Sequence, residues 1–198
     1  MKRKKRTQNV WVVGLIAILT IVGLGLSACE DPCVDCLAIG ATGQGGGKII
    51  YHNHAGFTVT GAGSFTAYYL EAASTIQAYA ISWSSTNVDV SGATGTAIGT
   101  GKANTAAIIA AHSGDTASNN AAKAANITIG GKSDWFLPSK DELNQLYRAR
   151  NHFGISSDEW IWSSSQTHTN LAWYQKFTGD QGEFPKSTTF NVRAVRAF

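Results

Sequence analysis

Apolar and polar positions change character three times along this chain. Residues 10–26 are almost unbroken apolar sequence behind a basic run, "KRKKR" at 2–6. From residue 48 the apolar positions come in short groups. "IIY" at 49–51 and "ISWS" at 81–84 read as strands, and "TAYYLEAA" at 66–73 as a strand or a strand running into a short helix. Residues 84–130 are dominated by Ala, Gly, Ser, Thr and Asn, a composition that by itself suits disorder. Within them, though, "AAIIA" at 106–110 predicts a small-residue helix over 103–112, and Asp115 offers the N-cap of a second helix reaching Ala125. The sharpest local signal is Ser139-Lys140-Asp141-Glu142: Ser at N-cap and Glu at N3 make a capping box, and two acids in the first turn suit the helix dipole. Leu143, Leu146 and Tyr147 follow at helical spacing, with Arg148 and Arg150 near the end, and Trp135, Phe136 and Leu137 before the cap belong in a core. Three strand patterns close the chain: "WIWSSS" at 160–165, "AWYQKF" at 172–177 and "NVRAVRAF" at 191–198. The last carries apolar residues at both parities. It predicts one buried strand ending on a buried Phe198, whose arginines need exposed ends or paired carboxylates.

The first 28 residues have the layout of an export signal, a basic n-region followed by an apolar h-region. Leu26-Ser27-Ala28-Cys29 resembles a bacterial lipobox, in which cleavage before the cysteine leaves its sulfur to take a diacylglycerol. A retained membrane anchor is the alternative, since the apolar stretch is borderline in length for a span. A twin-arginine pair is absent, which favours general secretion; by the lipoprotein resemblance, Glu30 where an Asp would imply inner-membrane retention implies the outer membrane or cell surface of a two-membrane bacterium. Removing this segment takes five of the 16 basic residues and none of the 13 acidic ones, leaving 11 against 13, a formal −2. The basic character therefore belongs to the targeting peptide, and no nucleic-acid footprint remains. What is left is the size of one domain.

All three cysteines, Cys29, Cys33 and Cys36, lie close together. With Cys29 lipidated, Cys33 and Cys36 form a candidate disulfide. A redox C-x-x-C would open a helix in a thioredoxin-like unit, and zinc would want four ligands where two are nearby. "GATGQGGG" at 40–47 reads as slack. The organisation expected is a signal peptide over 1–28, a lipidated flexible tether over 29–46 and a folded domain over 47–198.

Seven segments, "GKIIYH", "YYLEAA", "IGTGKANTAAIIAAH", "GGKSDWFLPSKDELNQLY", "WSSSQ", "AWYQKF" and "VRAVRAF", occur in the order of a known family. They resemble the C-terminal domain of Legionella-collagen-like adhesins, relatives of the C-type lectin fold in its formylglycine-generating-enzyme variant. The resemblance covers about residues 47–198. It implies an α+β, C-type lectin-like domain with a small antiparallel sheet, flanking helices and long loops that present a ligand surface. The end of the chain also resembles the variable region of diversity-generating-retroelement target proteins, in which a reverse transcriptase mutates template adenines. An AAC codon copied in that way reaches many residue types but not Lys, Gln, Glu, Met or Trp. Reachable types here are Thr167, His168, Thr169, Asn170, Leu171, Tyr174, Thr178, Asp180, Phe184, Pro185, Ser187, Thr188, Thr189 and Phe190. Trp173, Gln175, Lys176, Gln181, Glu183 and Lys186 are not reachable and are expected to be framework or to come from other codons. The resemblance thus implies a surface lipoprotein with a variable ligand-binding face. Tyr174, Phe184, Phe190 and Leu171 would be anchors, backed by a scaffold of Trp135, Trp162 and Trp173. The partner would be a cell-surface protein or glycan, with the membrane reached through the lipid.

Candidate chemistry adds little. The formylglycine-generating relatives use cysteines within the fold, and none follows residue 47 here, so that activity does not carry over. His52 and His54 would share one strand face, a geometry open to a metal, but a solvated pair is the preferred reading. His112, His152 and His168 are scattered, and "SSS" at 163–165 lacks a nucleophile elbow. No enzyme activity, metal or cofactor is expected. Asp180 with Glu183 makes a thin case for calcium. The alternative function is a fixed glycan- or glycosaminoglycan-binding adhesin. A sulfated polymer wants clustered Arg and Lys, and the predicted loop surface offers only Lys176 and Lys186.

Overall fold

A computed structural model describes residues 36–198; the export segment, Cys29 and Cys33 lie outside the described residues. The elements in chain order are β1 (Lys48–Val59), β2 (Phe65–Ala72), β3 (Ala78–Ser82), α1 (Gly101–Ala111), α2 (Ala121–Ala125), α3 (Lys140–Arg148), β4 (Trp160–His168), β5 (Leu171–Lys176), β6 (Gln181–Pro185), β7 (Thr189–Val192) and β8 (Val195–Ala197). They form a three-stranded sheet, β1-β2-β8, and a five-stranded sheet, β3-β7-β4-β5-β6. All pairings are antiparallel except β4 with β7. This mixed architecture of two sheets and few helices is compatible with the α+β class expected from the sequence.

Alternation along two segments builds two cores. Trp135 and Leu137 enter one cluster, with Trp83, Ile108, Trp162, Val192 and the alanines of α2. Phe136, between them, enters the other, with Ile50, Leu70, Leu143, Leu146, Ile161, Phe177 and Val195. Ile161 and Trp162 divide in the same way on β4. The 135–137 segment is held extended by a reciprocal backbone pair, Phe136 with Val195, at 2.9 Å in each direction. Extended backbone sends successive side chains to opposite faces, so this short run stitches the two cores together.

Three sequence expectations are corrected. The second helix is capped by Asn120, whose side chain accepts from Lys123 N, and not by Asp115. Asp115 is occupied further upstream, accepting from Ser85 N at 3.1 Å and Asn120 Nδ2 at 3.0 Å. The final strand is two strands in different sheets. At the switch Ala194 N donates to Gln77 Oε1 and Ala194 O accepts from Ala73 N. Phe198 is half-buried, stacked on Tyr69. Both arginines are buried: Arg196 pairs with Glu71 and Asp134, while Arg193 donates Nη1 to the carbonyls of Ala73 and Ser74 and leaves its Nε without a hydrogen bond.

The third correction concerns the glycine-rich run, which is folded over the described residues and not a slack tether. Gly40 N donates to Ile49 O, Gly43 N to Gly47 O, and Gly45 N to Glu71 Oε1 at 2.8 Å. A Cβ at Gly43 would stand 2.1 Å from Glu71 Oε2, and one at Gly47 would stand 2.3 Å from Ala72 O. These positions need the absence of a side chain, so that the loop can lie against β2, and the packed fold begins upstream of residue 47.

Helix α3 carries the capping box, and its Glu142 does more than cap. The carboxylate is completely buried; it accepts from Ser139 N at 2.7 Å and from Gly99 N at 2.8 Å, tying the loop before α1 to the start of α3. Burial pushes its pKa up to about 7 against the opposing pull of these N–H donors. The native state therefore holds this proton more tightly than the unfolded chain does. The associated stability is fully present below the ordinary pKa of 4.5 and is lost as pH rises through about 7. The expected loss is about 3 kcal/mol. Urea unfolding of wild type and Glu142→Gln from pH 4.5 to 8 checks this. Wild type should lose stability relative to the variant across that window, and parallel curves would show that Glu142 does not titrate there.

Candidate functional site

Residues 167–171, between the strand patterns at 160–165 and 172–177, form the tip of a hairpin. His168 pairs with Leu171 across a two-residue turn, Thr169-Asn170, and Asn170 O accepts from Lys186 N at 2.9 Å. Tip residues answer to turn geometry and not to a buried face, so no period is required of them. Beyond the tip, β5 pairs regularly with β6, Ala172 against Phe184 and Tyr174 against Gly182. Alternation then places Ala172, Tyr174 and Phe184 on one face. Leu171, Trp173 and Gln175 lie on the other, toward α3, where Lys140 Nζ sits 4.2 Å over the Trp173 ring.

The first face carries an aromatic cluster. Trp160 stacks on Tyr174 with centroids 5.0 Å apart and planes at 17°. Phe190 lies 5.2 Å from each of them and 4.5 Å from the buried Trp162, and Phe184 closes the group 5.5 Å from Phe190. Trp162 roots this cluster in the core, while Phe184 stays 37% exposed at its outer edge. The rings border an open depression of about 460 Å³ lined by Ala80, Asp158, Trp160, Phe184, Thr188, Thr189, Phe190 and Asn191. Ala80 holds φ at +50°, in a bulge of β3, and donates its N–H to Asn191 Oδ1. Left-handed backbone at a residue with a Cβ costs about 1–2 kcal/mol, so the rim carries local strain.

None of the fourteen candidate positions is buried; each is exposed or half-buried. They do not form a single patch, however. Phe184, Thr188, Thr189 and Phe190 line the depression, and Tyr174 borders it. Thr167, His168, Thr169 and Asn170 sit at the hairpin tip, with Pro185 and Ser187 beside them through the Leu171–Pro185 pairing. Leu171 faces away from Tyr174 and Phe184, so it is no partner for the aromatic anchors. Thr178 and Asp180 lie at the opposite end of the β5–β6 hairpin. Asp158, Trp160, Ala80 and Asn191 belong to the depression and were not marked in the sequence. The one sequence signal for Trp160 is its strand parity with Trp162, which puts both rings on the same face of β4.

The residues set aside as unreachable divide. Lys186 and Gln175 are completely buried, whereas Glu183 is exposed and Trp173 and Lys176 are half-buried. Lys186 is thus absent from the loop surface where a polyanion would need it. Its Nζ donates to Val88 O at 2.9 Å and to Gln166 Oε1 at 2.8 Å, and lies 4.4 Å over Trp83. Burial lowers its pKa to about 8, with Asp89 opposing. The three serines at 163–165 are also fully buried, and Ser165 Oγ donates to Gly95 O and accepts from Lys140 N. His112 is buried against Trp83, its pKa lowered by that burial, while His168 is exposed at the tip. Asp180 and Glu183 join no cluster of three or more potential metal ligands among the described residues; the one such cluster is Cys36, His52 and His54, on the three-stranded sheet. Among the described residues no helix is long and apolar enough to cross a membrane. No protein-family model matches the chain, and no curated protein matches it either.

Lys186→Ala removes a buried stem and two hydrogen bonds, and should cost about 2–4 kcal/mol. The exposed neighbour Ser187→Ala should stay within about 0.5 kcal/mol. Chemical denaturation of the pair checks the division between framework and surface. Equal midpoints for the two variants would remove it.

Proposed function

We propose that this chain is a surface-displayed lipoprotein whose C-type lectin-like domain presents a diversified ligand-binding face, as in the target proteins of diversity-generating retroelements. The observation that supports this reading most is the segregation along 166–192. Gln166, Ala172, Gln175, Phe177, Lys186 and Val192 are buried, and the fourteen reachable-type positions between them are all open to solvent to some degree. Substitution at those positions by any residue but proline keeps the N–H and C=O groups that form the β ladders. The depression beside Trp160 supplies what a binding face needs, rigid aromatic area next to small polar residues, and Thr188, Thr189 and Asn191 provide adaptable hydrogen bonds. In this reading Phe184, Phe190 and Tyr174 are the anchors and Trp160 the fixed floor. The partner is a protein or glycan on another cell; no enzyme chemistry, cofactor or nucleic acid is involved. Lipidation of Cys29 holds many copies at one surface, where even a Kd near 1 mM, about 4 kcal/mol, suffices through avidity.

Deep sequencing of the 3′ end of the gene across a population of source cells, with flanking DNA, tests the reading. Substitutions should concentrate at residues 167–171, 174, 178, 180, 184, 185 and 187–190, spare Trp160, Trp162 and Lys186, and match adenines in a nearby repeat. An invariant 3′ end with no such repeat would leave the fixed glycan-binding adhesin, and a glycan array with this one sequence would then be the measurement to make.

A further inference from the structure

A separate cluster lies on the three-stranded sheet. After His52 the β1 strand leaves its ladder: His52 faces Tyr69 and the next pair is Phe57 with Ala67, so five steps on one strand answer two on the other. The surplus bows outward through Gly56 at φ +78°, and Ala55 N turns onto Asn53 Oδ1. His52 and His54, two apart, bring their rings together with centroids 4.1 Å apart. His52 lies parallel on Tyr69 at 4.5 Å, and Tyr69 Oη accepts from Leu37 N, which delivers Cys36 to the same spot. Cys36 Sγ stands 4.0 Å from His52 Nε2 and 3.9 Å from His54 Nδ1, and the three ligand atoms lie within 4.8 Å of one another. Bond lengths of about 2.3 Å to sulfur and about 2.05 Å to nitrogen put tetrahedral ligands roughly 3.6 Å apart. Each sulfur–nitrogen gap therefore has to close by about 0.4 Å, and the two imidazole nitrogens, within 4.8 Å of each other, have to reach about 3.3 Å, a movement on the scale of a side-chain rotation.

Taken separately in the sequence, the cysteines lacked ligands and the histidines lacked a third. The fold joins them. Cys36 is disulfide-bonded in this structure, and a disulfide sulfur cannot serve as a thiolate ligand. We propose that the reduced protein binds one thiophilic divalent cation, zinc foremost, through Cys36, His52 and His54, and that oxidation of Cys36 to its disulfide closes the site. One sulfur and two imidazoles with no carboxylate suit zinc and disfavour calcium or magnesium. Three protein ligands leave the fourth tetrahedral position to water. A dithiol donor opens the site by thiol–disulfide exchange: it gives two electrons and two protons to the protein disulfide and closes into its own disulfide. The Cys36 thiol then releases one proton as its sulfur binds the cation.

The full chain, reduced with a non-coordinating phosphine and desalted without oxygen, is titrated with cobalt(II) and then zinc(II). The result expected is one cobalt per chain, with a thiolate-to-cobalt charge-transfer band and tetrahedral ligand-field bands that zinc bleaches. His54→Ala, at an exposed position, and His52→Ala should each weaken binding at least about tenfold, the loss that even an outer-shell partner causes. Unreduced protein should give no charge-transfer band. Near-UV circular dichroism confirms that the variants keep their tryptophan packing. The proposal is overturned if the reduced protein shows no such band, if both histidine variants bind as wild type does, or if the unreduced protein gives the same spectrum.

Discussion

Residues 189–197 belong to two sheets at once, and most of the molecule is hung on that strip. β7 lies between β3 and β4, and after two intervening residues β8 begins, pairing with β2. At the switch Arg193 and Ala194 pair with the 73–77 crossover instead of a strand, through Ala73, Ser74 and Gln77. Arg196 is then buried between Glu71 and Asp134. A buried guanidinium stripped of its carboxylates would cost several kcal/mol, so this pairing admits one register. Glu71 passes the constraint on, since the same carboxylate oxygen takes the N–H of Gly45 and seats the glycine loop. The candidate face spans the five-stranded sheet, from the Ala80 bulge of β3 across β7 to β4, β5 and β6.

The sequence made legible those parts whose residues answer to one local rule. The capping box of α3 and the core assignments of Trp135, Phe136 and Leu137 needed only spacing and hydropathy. Helix α1 was harder, because its buried stripe is Gly101, Asn104, Thr105 and Ile108, correctly spaced but mostly polar. Those polar groups are satisfied from distant strands and loops: Asn104 bonds Gly95 O and Ser164 Oγ, and Thr105 bonds Leu137 O. The glycine run misled for a related reason. Glycine signals both slack and close approach, and only the presence of Glu71, Trp135 and Ala72 within contact of its missing side chains separates the two. Lys186 misled as well, for a lysine in a polar stretch gives no local sign that Trp83, Val88 and Gln166 enclose it.

The candidate face combines two kinds of position that sequence alone could not sort. Tyr174 and Phe184 share a face because β5 and β6 are in regular register, while Leu171, three residues from Tyr174, lies on the other side. Strand parity is fixed by pairing, and pairing is a tertiary fact. The same holds for Asp158 and Ala80, brought to one rim from segments far apart in the chain.

The pairing of β2 with β8 also has a consequence in time. Arg196 meets Glu71 across 125 residues of chain, so the ion pair and the ladder beside it must await the synthesis of that whole stretch. Contacts this distant in sequence slow folding, and until they form the β1–β2 hairpin keeps an open edge and half of a core. A nascent chain of this design cannot lock until residue 197 has emerged. Until then the three-stranded sheet and the core beneath it stay incomplete.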